Sequence, residues 1–460
     1  MGLRILHIST RLILGGSQEN TVLSCEGQSR LGHEVHLAYG PIYGPEGSLL
    51  ERVSAFACTA PDGSARRITT HEVPDLVREV SPLRDGRCLG QLKALIRRVR
   101  PDVIHTHSSK AGILGRLAGW AVWRAGDVRA AGGASGAGGG AGLARPMVMH
   151  TIHGPPFMPV EGGLGKRLKV RLNNLVYTVA EKHAAARCHV IVSVADAMTQ
   201  QFLARGIGRP ELYMTVRSGM DLGPYDRPAA DQERGAMRAA LGLRPEKFVA
   251  GTVARLAEHK GHADVLAAME RLRGAGPGMN LEQLVLLWVG DGWLRQELTV
   301  RAGAAGFNVI SLDHGGPAAE AWRGAVAGRP SVVLTGLVPP QRVPGLVRAM
   351  DVLVHPSYRE GLPRTVPQAL LCGVCPIATD VDGTREVCVD GVTGKLVRLG
   401  DIDALAGAVR WAWEHPAERA ALAEAGRQMV RQRWSTEAMV AGLEEAMGVG
   451  LGRSDLLAES

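Results

Sequence analysis

The sequence contains few aromatic residues, few cysteines and no long apolar segment. Phe, Trp and Tyr make up 4% of the 460 residues. The seven cysteines are scattered and odd in number, which fits a reducing compartment better than a disulfide framework. No apolar run approaches the roughly 18 residues that a membrane-spanning helix needs. Residues 1–16 are interrupted by Arg4, His7 and Arg11 and predict a first β-strand rather than a signal peptide, so we expect a cytoplasmic protein.

The chain also lacks a strong excess of either charge. It carries 53 Lys and Arg residues against 45 Asp and Glu residues, a net charge of +8, and charged residues make up 21% of the total. That proportion is near the globular average and excludes wholesale disorder. The small basic excess permits an anionic ligand or a membrane surface. Because no basic surface interleaved with aromatic residues is evident, it does not indicate nucleic-acid binding.

Two common phosphate-binding fingerprints are missing. No G-x-x-x-x-G-K-[ST] loop occurs, and Gly15-Gly16 does not extend to the dinucleotide pattern G-x-G-x-x-G. The segment 290–292 also fails that pattern, because Arg295 stands where the third glycine belongs. These absences argue against a dehydrogenase and a P-loop enzyme. Gly15-Gly16 still allows two interpretations, a tight strand–helix turn or a close approach of backbone to a phosphate.

Short apolar strands alternate with helical stretches along almost the whole chain. Apolar runs without strict alternation are typical of parallel strands buried on both faces. Their alternation with helices predicts a doubly wound α/β fold. The predicted strands are residues 3–9, 34–38, 102–106, 148–152, 190–194 and 213–217 in the first half, and 248–254, 284–289, 332–335, 352–355, 374–378 and 395–397 in the second.

A polar, proline-containing stretch at 223–233 separates the two series of strands. We therefore predict an N-terminal domain of residues 1–218, a C-terminal domain of residues 219–433, and terminal helical residues 434–460. Residues 127–146 are rich in Gly and Ala and are predicted to form a flexible loop. A second apparent insertion, residues 311–329, has no role that the sequence indicates.

The second half carries candidate ligand-binding residues at the carboxyl ends of its strands, where α/β sheets bind ligands. Arg255 and Lys260 follow the strand 248–254. Together they could neutralise a diphosphate, or alone be solvated loop charges. Glu360 follows the strand 352–355 and could accept hydrogen bonds from sugar hydroxyls. Backbone N–H groups of Gly361 and Leu362, just before a predicted helix, would form an anion cradle.

Gln368 lies on that helix, which we expect to start near Thr365. Its side chain is placed to reach back toward the same site. Thr365 and Gln368 also match a capping box, in which the Gln side chain satisfies the start of the helix. The two roles are compatible with each other.

Histidines gather at the carboxyl ends of two strands in the first half. His105 and His107 lie at the carboxyl end of one strand, and His150 and His153 lie at that of another. No Cys or carboxylate at metal-ligand spacing accompanies them, so we expect a ligand site at the sheet edge and no metal. The segment 380–382 mimics the D-x-D motif of metal-dependent sugar transferases, but its position in a loop does not support a metal site.

Residues 164–187 predict an amphipathic helix with basic first turns. Such helices lie on anionic membrane surfaces. An ordinary helix would instead turn its apolar stripe to the core and leave the basic face in solvent. The sequence leaves both alternatives open. The stripe is Leu164, Leu168, Leu172, Leu175 and Val179, and the basic residues are Lys166, Arg167, Lys169 and Arg171.

Taken together, these motifs and their order resemble those of the family-4 retaining glycosyltransferases with the GT-B fold, of the bacterial surface-polysaccharide type. The resemblance covers nearly the whole chain. It implies two Rossmann-like doubly wound domains facing each other across a cleft, with terminal helices that pack on the first domain. The matching segments are residues 15–17, 31–35, 105–112, 153–154, 218–221, 255–261, 289–292, 355–363 and 393–394.

The resemblance also implies roles for individual residues. Arg255 and Lys260 would hold the donor diphosphate and stabilise the leaving group, and His153 would lie beside the anomeric centre. Gly16 would leave room for donor or acceptor. The implied catalytic residues are His153, Glu360, Arg255 and Lys260, and the implied nucleotide-sugar-binding residues are Gly15, Gly16, Arg255, Lys260, Glu360, Gly361, Leu362 and Gln368.

We therefore expect a metal-independent, retaining hexosyltransferase that uses a UDP- or GDP-sugar and no cofactor. Its acceptor would be a glycan or a polyprenyl-linked sugar, reached at the inner face of the membrane through peripheral contact by residues 164–187. In one departure, the family's second acidic residue is Gln368 here, which weakens donor binding by on the order of 1 kcal/mol. This departure keeps open the alternative of a degenerate binding or scaffold subunit without turnover.

Overall fold

A computed structural model describes residues 2–42, 47–125, 145–154, 157, 164–274, 280–312 and 330–458. It divides into two compact units, Met1–Met220 with Thr436–Ser460, and Asp221–Ser435. The predicted domain boundaries lie within two residues of these divisions. Most of the predicted Gly/Ala loop (127–144) and of the second apparent insertion (313–329) lies outside the described residues.

The first unit is built on parallel strands joined by helices. Its elements are β1 Arg4–Ser9, α1 Gly16–Arg30, β2 Glu34–Tyr39, α2 Leu50–Ala55, β3 Cys58–Thr59, β4 Ala65–Arg66, β5 Thr69–Glu72, α3 Pro82–Val99, β6 Val103–His107, α4 Ser109–Ala125, β7 Met147–Ile152, α5 Leu164–Ala185, β8 Val190–Ser193, α6 Asp196–Leu203 and β9 Tyr213–Thr215. The main sheet is parallel throughout, in the order β5-β2-β1-β6-β7-β8-β9. The short strands β3 and β4 form a separate antiparallel pair.

The last helix of the chain, α15 Thr436–Ala458, packs in the first unit. Its buried face, including Leu443 and Met447, shares a core with Ile5 of β1 and Met149 of β7. The approach to α1 is close, because a Cβ at Gly27 would come within 2.3 Å of Val440. The sheet therefore has α15 and α1 on one face, while α3 and α4 bury a second core on the other.

The second unit repeats the same architecture. Its sheet is also parallel throughout, in the order β12-β13-β11-β10-β14-β15-β16. Its elements are α7 Gly223–Asp226, α8 Arg234–Ala240, β10 Phe248–Val253, α9 His262–Gly274, β11 Leu284–Val289, α10 Arg295–Ala304, β12 Asn308–Ser311, β13 Ser331–Leu334, α11 Val343–Arg348, β14 Val352–His355, α12 Thr365–Leu371, β15 Cys375–Thr379, β16 Lys395–Val397, α13 Ile402–Glu414 and α14 Pro416–Arg433.

The prediction of two doubly wound α/β domains is therefore confirmed. In the two main sheets the sequence pattern missed two short edge strands, β5 and β12, and it also missed the separate pair β3 and β4. Each of them pairs with one neighbour only, so it need not carry the continuous apolar run of a central strand. The terminal helix, Thr436–Ala458, lies within the predicted terminal helical residues 434–460.

Candidate active site

Adjacent strands bring the predicted site residues of the second unit together. β10 and β14 are neighbours in the parallel sheet, so the loops that follow them leave the same edge. The first loop carries Arg255 and Lys260, and the second carries Glu360. Strand order thus places two cations and a carboxylate at one sheet edge although they lie about a hundred residues apart.

A compact charged cluster, formed by Lys260, Glu360 and His355, occupies this edge. The Lys260 Nζ donates to Glu360 Oε1 at 2.5 Å, and His355 Nε2 lies 3.2 Å from the same oxygen. The Nδ1 of His355 is 3.1 Å from the hydroxyl of Thr365 at the start of α12. All three members of the cluster are largely buried.

This environment keeps the Glu360 carboxyl ionised. Burial alone would raise the pKa of Glu360, but the contacts with His355 and Lys260 outweigh burial and hold this pKa well below its usual range. A buried carboxylate stabilised by its neighbours remains an acceptor of hydrogen bonds at neutral pH.

The main chain around Glu360 is fixed by Asp382, which follows β15. The backbone N–H of Glu360 donates to Asp382 Oδ2 at 2.7 Å, and the N–H of Gly383 donates to the carbonyl of Gly361 at 3.1 Å. Asp382 is the second acid of the D-x-D segment. No local pattern predicts this supporting role, because it depends on the pairing of β14 with β15.

Gly261 allows the Lys260 loop to approach the end of β14. Its φ is +68°, and a Cβ there would lie 2.1 Å from the carbonyl oxygen of Pro356. Only glycine accommodates both the conformation and the contact. Gly261 thus allows the preceding residue, the candidate site residue Lys260, to approach the end of β14.

Arg255 and Trp293 form the outer part of the same edge. The Arg255 guanidinium lies 5.8 Å from the centre of the Trp293 ring, and the indole N–H donates to Glu258 Oε2 at 3.0 Å. Trp293 is largely exposed. It directly follows the segment 289–292, which fails the dinucleotide pattern but matches a motif of the family that the sequence resembles.

The capping-box prediction for Thr365 and Gln368 is wrong. The helix starts at Thr365 with Arg364 as its N-cap and no side-chain capping bond, because the Thr365 hydroxyl bonds His355 instead. Within the described ranges the Gln368 side chain makes no hydrogen bond, and it is half-buried. Leu362 is buried and Gly361 is half-buried. Both follow Glu360 directly, in the loop before α12.

The remaining predicted residues lie in the first unit. Gly15 is the extended N-cap of α1, which starts at Gly16 directly after the loop from β1. His153 follows β7 and is half-buried. Because β1, β6 and β7 are parallel neighbours, these residues share one sheet edge.

Imidazoles gather beside His153. Of the described residues, His7, His105 and His107 form the single group whose possible metal-ligating atoms lie close together, within 4.8 Å. His7 Nδ1 and His107 Nε2 are 2.9 Å apart and share a hydrogen bond. In this bond one nitrogen carries the proton and the lone pair of the other nitrogen accepts it, so neither nitrogen has a lone pair left for a metal ion.

The amphipathic helix predicted over 164–187 is α5, Leu164–Ala185, and its apolar stripe faces away from the core. Leu168, Leu172, Leu175 and Val179 are 58–69% exposed. The core-facing alternative is therefore wrong for these four residues. The side chains of Leu164 and Lys166 lie outside the description. No helix in the described ranges is long and apolar enough to cross a bilayer.

Family comparisons agree with this architecture. The family model described as Glycosyltransferase Family 4 matches residues 14–222. The model described as Glycosyl transferases group 1 matches residues 233–429. The two matches correspond to the two units and leave out α15.

Curated relatives and solved structures are similar over most of the chain. The UDP-Gal:alpha-D-GlcNAc-diphosphoundecaprenol alpha-1,3-galactosyltransferase of Escherichia coli is 26% identical over 73% of this chain and 73% of its own. The 2-deoxystreptamine N-acetyl-D-glucosaminyltransferase of Streptomyces fradiae is 29% identical over 68% of this chain and 62% of its own. Anabaena HepE, solved with UDP, has a TM-score of 0.67 at 17% identity, covering 97% of this chain and all of its own. Two parallel α/β units, both family matches and these relatives together show that the chain belongs to the family-4 glycosyltransferases of the GT-B fold.

Proposed function

We propose that this glycosyltransferase moves a hexosyl unit from a nucleoside-diphosphate sugar to a glycan or lipid-linked acceptor, with retention of configuration and without a metal ion. The observation that supports the donor assignment is the charged cluster of Lys260, Glu360 and His355, with Arg255 at the same sheet edge. Retention is inferred from the resemblance to retaining family-4 enzymes.

In this proposal Arg255 and Lys260 take the role of the cation in metal-dependent transferases. The bond between the sugar and the diphosphate breaks in the transition state, and negative charge grows on the leaving oxygen. Two fixed cations stabilise that charge, and removing one such group typically lowers kcat about 10²–10³-fold. Arg255, Lys260 and Glu360 sum to one positive charge, which suits an anionic ligand.

Glu360 would hold the sugar that is transferred. Because its carboxylate stays ionised, it can accept charge-assisted hydrogen bonds from sugar hydroxyls, which are stronger than neutral ones. Gly361 and Leu362 would offer main-chain N–H groups beside it, and the Gln368 amide would reach the ribose. His153 and Gly15-Gly16 keep the roles that the resemblance implies, beside the anomeric centre and the donor phosphate.

The nucleotide proposed for testing first is UDP. The E. coli relative is named for UDP-Gal, and HepE structures contain UDP and UDP-glucose. Purified protein would be offered UDP- and GDP-hexoses in the presence of EDTA, with release of nucleoside diphosphate as the readout. The anomeric configuration of the product, read by NMR, tests retention. No turnover and no nucleotide binding with any donor would contradict the proposal, and loss of turnover in EDTA would contradict metal independence.

The acceptor is proposed to be lipid-linked and α5 to bind the membrane surface. At about 100° per residue, Leu168, Leu172, Leu175 and Val179 fall within an arc of about 60°. Arg167 and Arg171 flank this arc on one side, and Lys169 flanks it on the other. An exposed apolar stripe between cations matches an anionic lipid surface, where each cation contributes about 1 kcal/mol. The E. coli relative is named for a diphosphoundecaprenol acceptor.

Vesicle sedimentation tests this contact. The wild type should sediment with mixed phosphatidylglycerol–phosphatidylcholine vesicles and much less with phosphatidylcholine alone. Leu172→Glu and Leu175→Glu together should abolish sedimentation while leaving the melting temperature unchanged. Val300→Glu, at an exposed apolar position of the second unit, is the matched control. Equal sedimentation of all three proteins would contradict the proposal.

The alternative of a binding or scaffold subunit gains no support from the comparisons. The two curated relatives described above are named as transferases. The acid-to-amide change at Gln368 affects one half-buried position on α12, while Arg255, Lys260 and Glu360 are all present.

A further inference from the structure

A chain of hydrogen bonds connects His153 to the terminal helix α15. His153 Nε2 lies 3.0 Å from His107 Nδ1. His107 Nε2 lies 2.9 Å from His7 Nδ1, and His7 Nε2 lies 2.8 Å from Gln28 Oε1 on α1. The Gln28 Nε2 then donates to Glu444 Oε1 on α15 at 3.4 Å.

The last hydrogen bond of this chain, between Gln28 and Glu444, has a fixed donor and a fixed acceptor. A carboxylate can only accept, so the amide of Gln28 must turn its NH₂ group to Glu444 and its oxygen to His7. A second donor confirms Glu444 as acceptor. The N–H of Leu3 donates to His33 Nδ1 at 2.9 Å, which leaves the proton of a neutral His33 on Nε2, 2.9 Å from Glu444 Oε2.

The donor and acceptor at Gln28 then determine which nitrogen of each imidazole donates and which accepts. A neutral imidazole has one donor nitrogen and one acceptor nitrogen. His7 must donate from Nε2 to Gln28, so its Nδ1 accepts. His107 must then donate from Nε2 and accept at Nδ1, and His153 must donate from Nε2. Burial lowers the pKa of His7 to about 4 and lowers that of His107 well below its usual value, so both are neutral at pH 7.

We propose that Glu444, acting through Gln28, His7 and His107, holds His153 in the tautomer that carries its proton on Nε2 and its lone pair on Nδ1. Glu444, Gln28, His7 and His107 are positioning residues, since none is assigned a contact with substrate. The terminal helix thus has a role beyond packing, because it carries the charge that orients the chain of donors and acceptors.

The consequence for transfer rests on the proposed function, in which His153 lies beside the anomeric centre. With the proton held on Nε2, His153 acts there as an acceptor for a sugar hydroxyl and not as a donor to the leaving phosphate. The division of roles is chemically consistent, because Arg255 and Lys260 already supply positive charge for the phosphate. A fixed tautomer also removes the need to reorganise the imidazole during the reaction.

Histidine tautomers can be read directly by NMR. Protein labelled with ¹⁵N-histidine would be recorded by long-range ¹H–¹⁵N correlation, with signals assigned through His7→Gln, His107→Gln and His153→Gln. All three imidazoles should show the Nε2–H pattern in the wild type. A proton on Nδ1 of His107 or His153 would overturn the proposal, whatever the activity of the enzyme.

Reversing the charge of Glu444, the last residue of this hydrogen-bond chain, should exchange the donor and acceptor in each of its hydrogen bonds. In Glu444→Lys the new donor turns the Gln28 amide around, so all three imidazoles should change to Nδ1–H. In Glu444→Gln the amide oxygen should accept from His33 and the NH₂ group should face Gln28, so this variant should also shift the imidazoles to Nδ1–H and serves if the lysine variant fails to fold. Glu445→Lys makes the same charge change at the exposed neighbouring position and should leave the tautomers unchanged. Unchanged tautomers in both Glu444 variants would overturn the proposal.

Kinetics then connect the tautomer to transfer. In Glu444→Lys, kcat should fall about tenfold, the equivalent of one lost hydrogen bond, with KM for the donor nearly unchanged, and Glu445→Lys should match the wild type. If tautomers reverse but kcat does not change, the proposed role at the anomeric centre is wrong. If the wild type transfers no sugar at all, the proposed function fails while the NMR result still decides the tautomer.

Discussion

Lys260 and Glu360 are a hundred residues apart in sequence, yet the ammonium of one lies 2.5 Å from the carboxylate of the other. The contact exists because β10 and β14 are neighbours in a parallel sheet. In the proposed function Lys260 contacts the diphosphate and Glu360 contacts the sugar, so one charged cluster would contact both sides of the bond that breaks.

Replacing Lys260 by Ala should lower kcat/KM about 10²–10³-fold, because the lost cation no longer stabilises the leaving group. Arg255→Ala should have an effect of similar size. The measurement is release of nucleoside diphosphate under steady-state conditions. Arg271→Ala, at an exposed ion pair on α9, is the control and should retain wild-type rates. Unchanged kinetics in both site variants would refute their role.

Acid should weaken the stabilisation that Glu360 provides. The pKa of Glu360 is lowered in the folded state from an ordinary value of 4.5, so its stabilisation is present above that pH and is lost as the pH falls further. Urea unfolding of the wild type and Glu360→Gln should show a constant stability difference from pH 7 down to about 5. Below about 4.5 the wild type should lose its advantage. An advantage that grows on acidification would show that the assigned direction is wrong.

Gly261→Ala should destabilise the protein by roughly 3 kcal/mol or more, since the new Cβ meets both a positive φ and the carbonyl of Pro356. Gly373 offers a matched comparison, with a similar φ of +73° and no atom within 4 Å of a Cβ. Gly373→Ala should therefore cost only about 1–2 kcal/mol. Equal losses in the two variants would mean that the close approach to Pro356 does not matter.

Glu181→Ala should destabilise the protein by about 3–5 kcal/mol. Arg116 of α4 and Glu181 of α5 form an ion pair at 2.6 Å with both side chains almost fully buried, so the variant leaves a buried guanidinium without its carboxylate. Denaturant titration measures the loss. Asp403→Ala breaks the exposed Arg271–Asp403 pair and should cost at most about 1 kcal/mol.

Gln368→Glu should raise affinity for the donor severalfold, because a carboxylate forms stronger hydrogen bonds to ribose hydroxyls than an amide does, by on the order of 1 kcal/mol. Isothermal titration with UDP in both proteins measures the effect. Measurable turnover in the wild type supports the transferase, whereas turnover that appears only in the variant would favour the subunit alternative.

Much of the fold followed from local patterns. The strands Leu284–Val289, Val352–His355 and Lys395–Val397 have the predicted bounds, because an apolar run between turn residues defines a buried strand locally. The edge strand Thr69–Glu72 carries no such run and was missed. The Thr365–Gln368 capping box was wrong for a related reason, since His355 from another strand competes for the Thr365 hydroxyl.

The candidate site was only partly predictable. Arg255, Lys260, Glu360 and His153 could be named because each lies in the loop that follows the carboxyl end of a predicted strand. The supporting contact from Asp382 and the connection of His153 to Glu444 could not, because each joins residues that only the strand order and the packing of α15 bring together. The spacing of His105 and His107 is one sequence signal of the histidine group, because residues two apart lie on the same face of a strand.

By itself, the sequence determined the alternation of strands and helices, the loops that carry charge and the family resemblance, all of which depend on neighbouring residues. Tertiary structure decided which distant groups meet, and so the ionisation of Glu360 and the hydrogen bonds of His153. It also decided that the α5 stripe faces outward. Helical periodicity shows that an apolar face exists, but only the surrounding packing decides what that face contacts.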